Sequence, residues 1–125
     1  MAAGGSSRHM SPSMRQQIVA DALRLARAMS DPHPERTVRV YGPASYQTAL
    51  AAWGGGITSP NERVGRYYVI VVRGDFVFNG PFRTTRGSVA TRLWSPSRGN
   101  SGTGLGNKLP PSMSRLGRPT RIELP

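Results

Sequence analysis

The sequence contains no cysteine, and this absence excludes disulfides, thiolate metal sites and cysteine nucleophiles. It has only two histidines, and His33 lies between two prolines with nothing spaced to orient it as a catalytic base. The six acidic residues are scattered, so no group has the spacing of a metal site, although two carboxylates can still meet in space. We therefore predict no catalytic residues, no metal and no cofactor, and a protein that is not an enzyme.

Long apolar runs are also missing. No stretch approaches the roughly 18 apolar residues of a membrane span, and the N-terminus lacks the charged-then-apolar pattern of a signal peptide. Residues 1–10, MAAGGSSRHM, are small and polar and end in His-Met, which is typical of a cloning scar. We leave this segment out of the fold and start the natural chain at Met10 or Ser11. A trimmed start can remove a signal or an anchor, so the compartment stays open at this point.

Acidic residues are few against a large number of basic ones. Seventeen residues are Lys or Arg, only Lys108 is lysine, and the formal net charge is +11 at pH 7. Because guanidinium groups contact phosphates and carboxylates in a bidentate manner, this excess indicates an anionic partner. GC-rich coding also favours Arg over Lys, but it does not explain the shortage of Asp and Glu.

Two segments have apolar residues at helical spacing. Residues 12–30 follow a Ser-Pro pair that suits a helix start, and an Asp-Pro pair ends the pattern. Residues 44–53 are followed by three glycines, which readily adopt the left-handed conformation after a helix. We predict a helix over each segment.

Runs of β-forming residues predict strands over 37–41, 67–72 and 88–94. The middle run has six consecutive β-formers, which suits a central strand covered on both faces. Residues 76–78 either continue this strand through a bulge or begin the next one. Alternation in the third strand places Arg92 and Trp94 on the same face.

These elements predict a single domain with its core over residues 11–94. Residues 95–111 are rich in Gly, Pro and Ser with almost no apolar side chain, so we predict a flexible loop there. Residues 112–125 are expected to add a helical turn and an edge strand to the same domain. The order of elements predicts an α+β fold with one or two helices packed on one face of a small, mostly antiparallel sheet, cystatin-like or similar.

Arginines and aromatic residues interleave on the predicted strands, and this pattern provides the candidate binding residues. Guanidinium groups neutralise phosphates, and aromatic faces stack on bases. The structural alternative is that the aromatics belong to the core while the arginines only solvate the outer face. The residues that we select for contact with an anionic partner are Arg66, Arg73, Arg83, Arg86, Arg92 and Trp94.

Several stretches match a known pattern of segments: YVIVVRGDF at 68–76, a strand that ends near Trp94, and GLGNK at 104–108 followed by LGRP at 116–119. In these the chain resembles a group of small, uncharacterised actinobacterial proteins that are usually secreted or membrane-anchored. It departs from them at 95–103, where the group has an acidic turn and a strand. The resemblance implies a location in the cell envelope and no assigned activity.

Charge, strand pattern and resemblance together predict a non-enzymatic binding module that recognises an anionic macromolecule or protein through exposed arginines. A cytoplasmic nucleic-acid-binding protein that uses the same residues is the alternative. An enzyme whose site the sequence conceals is the second alternative.

Overall fold

The computed structural model describes residues 10–54 and 65–125, and they form one antiparallel sheet with helices against it. The predicted α+β class is confirmed. Residues 1–9, most of the segment predicted to be a cloning scar, lie outside the described part of the chain. The elements in chain order are α1 (Pro12–Ala28), β1 (Thr37–Ala44), α2 (Tyr46–Trp53), β2 (Tyr67–Asn79), β3 (Thr84–Ser95), β4 (Gly99–Gly106), a 3-10 helix (Pro111–Leu116) and β5 (Thr120–Glu123).

The strands lie in the order β4-β3-β2-β1-β5, and each neighbouring pair is antiparallel. β2 and β3 form one long hairpin whose outermost pair is Asn79 with Thr84. The register of β2 and β3 shifts between Arg73 and Phe76, and β2 continues beyond this irregularity to Asn79. Residues 76–78 therefore continue the same strand and do not begin the next one. The hairpin therefore connects the centre of the sheet to a turn over residues 80–83.

α1 covers one face of the sheet. The backbone N–H of Met14 donates to the Ser11 hydroxyl at 3.1 Å, so Ser11 caps the helix as the Ser-Pro start predicts. The buried stripe of α1 shares a core with Ile70 and Val72 of β2. Met10 is buried in the same core, which therefore includes the last residue of the segment predicted to be a cloning scar.

α2 and the 3-10 helix cover the opposite face, so the expectation that the helices share one face is wrong. Leu50 of α2 and Met113 of the 3-10 helix are buried in a core with Val69 and Val71 of β2. β2 is buried on both sides over Tyr67–Val72, as a continuous run of β-formers indicates. Such an apolar run needs packing partners on both faces of the sheet; α1 provides them on one face, and α2 with the 3-10 helix provides them on the other.

β4 occupies part of the segment predicted to be a flexible loop, so the prediction for residues 95–111 is wrong. The strand has few apolar side chains because the Trp53 ring fills the space beside its backbone. A Cβ atom at Gly102 would lie 2.6 Å from Trp53 Cη2, and one at Gly104 would lie 3.7 Å from Trp53 Cζ2. The Trp53 indole N–H donates to the Thr91 hydroxyl at 2.8 Å, which fixes the ring against β3 and β4.

The C-terminal prediction is confirmed in outline. β5 is an edge strand paired with β1, and Ile122 and Leu124 are buried. The Leu124 N–H donates to the carbonyl oxygen of Arg36 at 2.6 Å, which ties the chain end to the residues before β1. None of the helices within residues 10–54 and 65–125 has the length and apolar character to cross a membrane.

Candidate anion-binding surface

Arg92 and Trp94 face α1 and are largely covered by it, so their predicted exposure is wrong. Arg92 Nη1 donates to Asp21 Oδ1 at 2.7 Å, and the two side chains are only 12% and 9% exposed. Trp94 is 3% exposed and its ring centroid lies 6.1 Å from that of Tyr68. The sequence placed Arg92 and Trp94 on one face, but the helix above that face makes it interior.

Arg66 is exposed at the first turn before β2, at the opposite end of the β2–β3 hairpin from the turn at 80–83. It lies close enough to Tyr68 to affect its ionisation: burial raises the pKa of the Tyr68 phenol, and the positive charge of Arg66 acts in the opposite direction. Arg66 is therefore exposed to solvent and also close to the buried phenol of Tyr68.

Arg73 is half-buried in the middle of the hairpin. Its Cα partner across the sheet is Val89, and its carbonyl oxygen accepts the N–H of Glu35 at 2.8 Å. The segment between α1 and β1 therefore lies alongside β2 at this point. Its half-buried position makes Arg73 a weaker candidate for contact with an external anion than the exposed arginines.

Arg83 and Arg86 lie at the end of the hairpin, and the structure adds two phenylalanines that sequence reasoning missed. We call residues 77–86 the hairpin tip. Within it Phe82 is 96% exposed and Phe78 is 46% exposed, and both arginines are exposed as predicted. These are the exposed large hydrophobic residues of the described chain. The Asn-Gly-Pro sequence is the signal that could have found them, because a turn there places Phe78 next to the end of a strand and Phe82 in the turn itself.

The hairpin tip is held by specific hydrogen bonds. The Gly80 N–H donates to the Arg83 carbonyl oxygen at 2.9 Å, and the Thr84 hydroxyl donates to Asn79 Oδ1 at 2.9 Å. Below them Phe78 pairs with Thr85 and Val77 with Arg86 across the hairpin. Phe82 is therefore exposed on a closed turn, with its backbone neighbours fixed by pairing.

Arg83 and Arg86 have no internal counter-charge among residues 10–54 and 65–125, where the ion pairs all involve Asp21. Asp75 is the acidic residue of the hairpin itself, and it lies two residues before Val77, the partner of Arg86 across the hairpin. Neither Arg83 nor Arg86 forms an ion pair with it. The positive charge of the hairpin tip is therefore open to an external anion.

Three grooves lie elsewhere on the surface. One of about 500 Å³ runs between α1 and the start of β4 and includes Gln17, Asp21 and Asn100. A second of about 330 Å³ lies beside Trp53 and Lys108, and a third is lined by residues 43–45, Gly65 and Arg66. In the first, Asp21 already pairs with Arg92, and the described part of the chain brings no three metal-ligating side chains together. The prediction that the protein is not an enzyme stays a prediction.

Comparison with known proteins found no matching family model, no matching curated protein and no matching solved structure. The resemblance to small actinobacterial envelope proteins therefore stays a prediction.

Proposed function

We propose that this protein is a non-enzymatic binding module that engages an anionic partner through the hairpin tip. The observation that carries the proposal is the exposure of Phe82 on a closed turn directly before Arg83. A phenylalanine side chain left in water forgoes about 2 kcal/mol that burial would provide. A rigid turn that presents such a side chain beside uncompensated charge is typical of a contact surface.

The two arginines and the two phenylalanines have complementary roles in this proposal. Arg83 lies in the turn and Arg86 in β3, about 10 Å apart along the chain, so positive charge is present at two levels of the hairpin tip. Their charge attracts the partner and orients it, while burial of Phe78 and Phe82 adds short-range affinity. Arg66 and Arg73 lie outside this surface, and Arg92 and Trp94 support the core.

Charge reversal with a matched control tests the proposal. Arg83→Glu with Arg86→Glu lowers the net charge by four, and so does Arg15→Glu with Arg98→Glu at exposed sites away from the hairpin tip. Both double variants are compared with the native protein for the salt concentration that elutes them from immobilised heparin. We expect the tip variant to elute at clearly lower salt than the control variant. Equal elution would mean that only net charge matters, and the proposal would fail.

Nucleic-acid binding remains the alternative function, and the structure removes part of its basis. Tyr67, Tyr68 and Trp94 are buried, so they present no face to a base. Among the described residues, the exposed large aromatic side chains on which a base could stack are those of Phe78 and Phe82. Saturable binding of single-stranded oligonucleotides that survives physiological salt and is lost in the tip variant would favour this alternative.

We also propose an extracytoplasmic, cell-envelope location, with the cytoplasm as the alternative. The proposal is supported only by the likeness of YVIVVRGDF and the C-terminal stretches to the actinobacterial group. Cell fractionation of the protein expressed from its full reading frame tests it. Recovery in the cytoplasmic fraction would contradict it.

A further inference from the structure

We infer that the anionic partner is the surface of a lipid bilayer, and that Phe82 inserts at the boundary between headgroups and acyl chains. This inference rests on the proposed function, because it names the partner of the same hairpin tip. It depends on how apolar and charged side chains are layered along the hairpin.

Phe82 occupies the outermost position of the hairpin. It lies within the turn beyond the last strand pair, Asn79 with Thr84, and it is almost fully exposed. Arg86 lies two residues inside that pair, about 7 Å along β3. An apolar residue that enters an interface by about 5–10 Å would therefore place the guanidinium groups near the lipid phosphates.

Asp75 lies in the hairpin two residues before Val77, and Asp31 and Glu35 lie beside the middle of β2. Asp31 Oδ2 accepts the Asp75 N–H at 2.8 Å, which keeps both carboxylates beside the irregular part of β2. Glu35 is fixed at the same level by its bond to Arg73. These carboxylates lie farther from the end of the hairpin than Arg83 and Arg86, so an anionic surface that touches Phe82 meets the arginines first.

A bilayer fits the hairpin tip better than a folded protein does. A specific protein interface buries roughly 800 Å² per partner. The tip is only ten residues long, its exposed large apolar side chains are Phe78 and Phe82, and none of the three grooves described above includes any residue of the tip. A bilayer requires no complementary shape, because burial of apolar area and attraction of cations to anionic lipids act together without a pocket.

Vesicle binding tests the inference. The full chain is mixed with vesicles of phosphatidylcholine alone or of phosphatidylcholine with phosphatidylserine, and bound protein is measured by sedimentation. We expect binding only with phosphatidylserine, and we expect Phe78→Ser with Phe82→Ser to weaken it by about tenfold or more. Phe82→Leu, which keeps an apolar side chain at the same position, should retain most of the binding.

A Phe82→Trp variant reports insertion directly. Brominated acyl chains should quench the added fluorescence, whereas the native Trp53 and Trp94, which pack within the fold, should be quenched far less. Vesicle binding that needs the arginines but is unchanged by the serine substitutions would overturn insertion and leave the proposed function standing. Failure to bind these vesicles, with heparin retention still dependent on Arg83 and Arg86, would overturn the lipid assignment alone. Heparin elution unaffected by the tip would overturn the proposed function itself.

Discussion

Gly102→Ala is the substitution that tests most sharply how β4 is held in the sheet. The new Cβ would lie 2.6 Å from Trp53 Cη2 and 2.9 Å from Cζ3, closer than carbon atoms approach without a shift. The ring cannot move away without stretching the 2.8 Å hydrogen bond from its indole N–H to Thr91. Overpacking costs about 1–3 kcal/mol, and the lost hydrogen bond about 1 kcal/mol. We expect the free energy of unfolding to fall by about 2–4 kcal/mol.

Gly106→Ala is the matched control on the same strand. A Cβ at Gly106 meets nothing within 4 Å, so this substitution should leave the free energy of unfolding within about 0.5 kcal/mol or raise it slightly. Urea unfolding followed by far-UV circular dichroism measures both variants, and near-UV circular dichroism reports the environment of Trp53. Equal stability of the two variants would show that Trp53 does not pack on β4, and the account of residues 99–106 would be wrong.

Two further predictions concern buried and partly buried ionisable groups. Asp21→Asn removes the counter-charge of the buried Arg92 and should lower the free energy of unfolding in urea by about 3 kcal/mol. Asp21→Leu with Arg92→Met removes both charges and should recover much of that loss. If the double variant is as unstable as Asp21→Asn, the explanation by an unpaired buried charge is wrong. Because burial raises the pKa of Tyr68, the unfolded chain ionises first, so stability should decline as the pH rises above about 10. Arg66→Gln should raise that pKa further in a spectrophotometric titration, and an unchanged titration would show that Arg66 does not act on Tyr68.

Elements that depend on local pattern could be predicted from the sequence. The helix expected over 12–30 is observed as Pro12–Ala28, and the short one expected over 44–53 as Tyr46–Trp53. In both cases the caps and the apolar spacing lie within the segment itself. The strand over 67–72 was also predicted, because six consecutive β-forming residues favour a strand over a helix or a loop.

β4 could not be predicted because its stabilising partner is remote in sequence. The segment shows neither alternation nor β-forming residues, since the Trp53 ring packs where side chains at Gly102 and Gly104 would lie. Likewise, strand alternation correctly grouped Arg92 with Trp94, but nothing local shows that α1 covers that face. The part of the candidate site that was predicted, Arg83 and Arg86, follows from the interleaving of arginines with aromatic residues. Phe78 lies in the segment 76–78 predicted as strand, and the sequence pattern made no prediction for Phe82.

The most direct test of the central claim is to map which backbone amides sense an anionic partner. Amide chemical shifts of the isotopically labelled protein would be followed during titration with a soluble heparin fragment at physiological salt. The account predicts that the shifts concentrate in residues 77–86, with little change around the exposed Arg15 and Arg98. Shifts spread over all exposed arginines, or centred on α1, would contradict it and assign the binding to net charge alone.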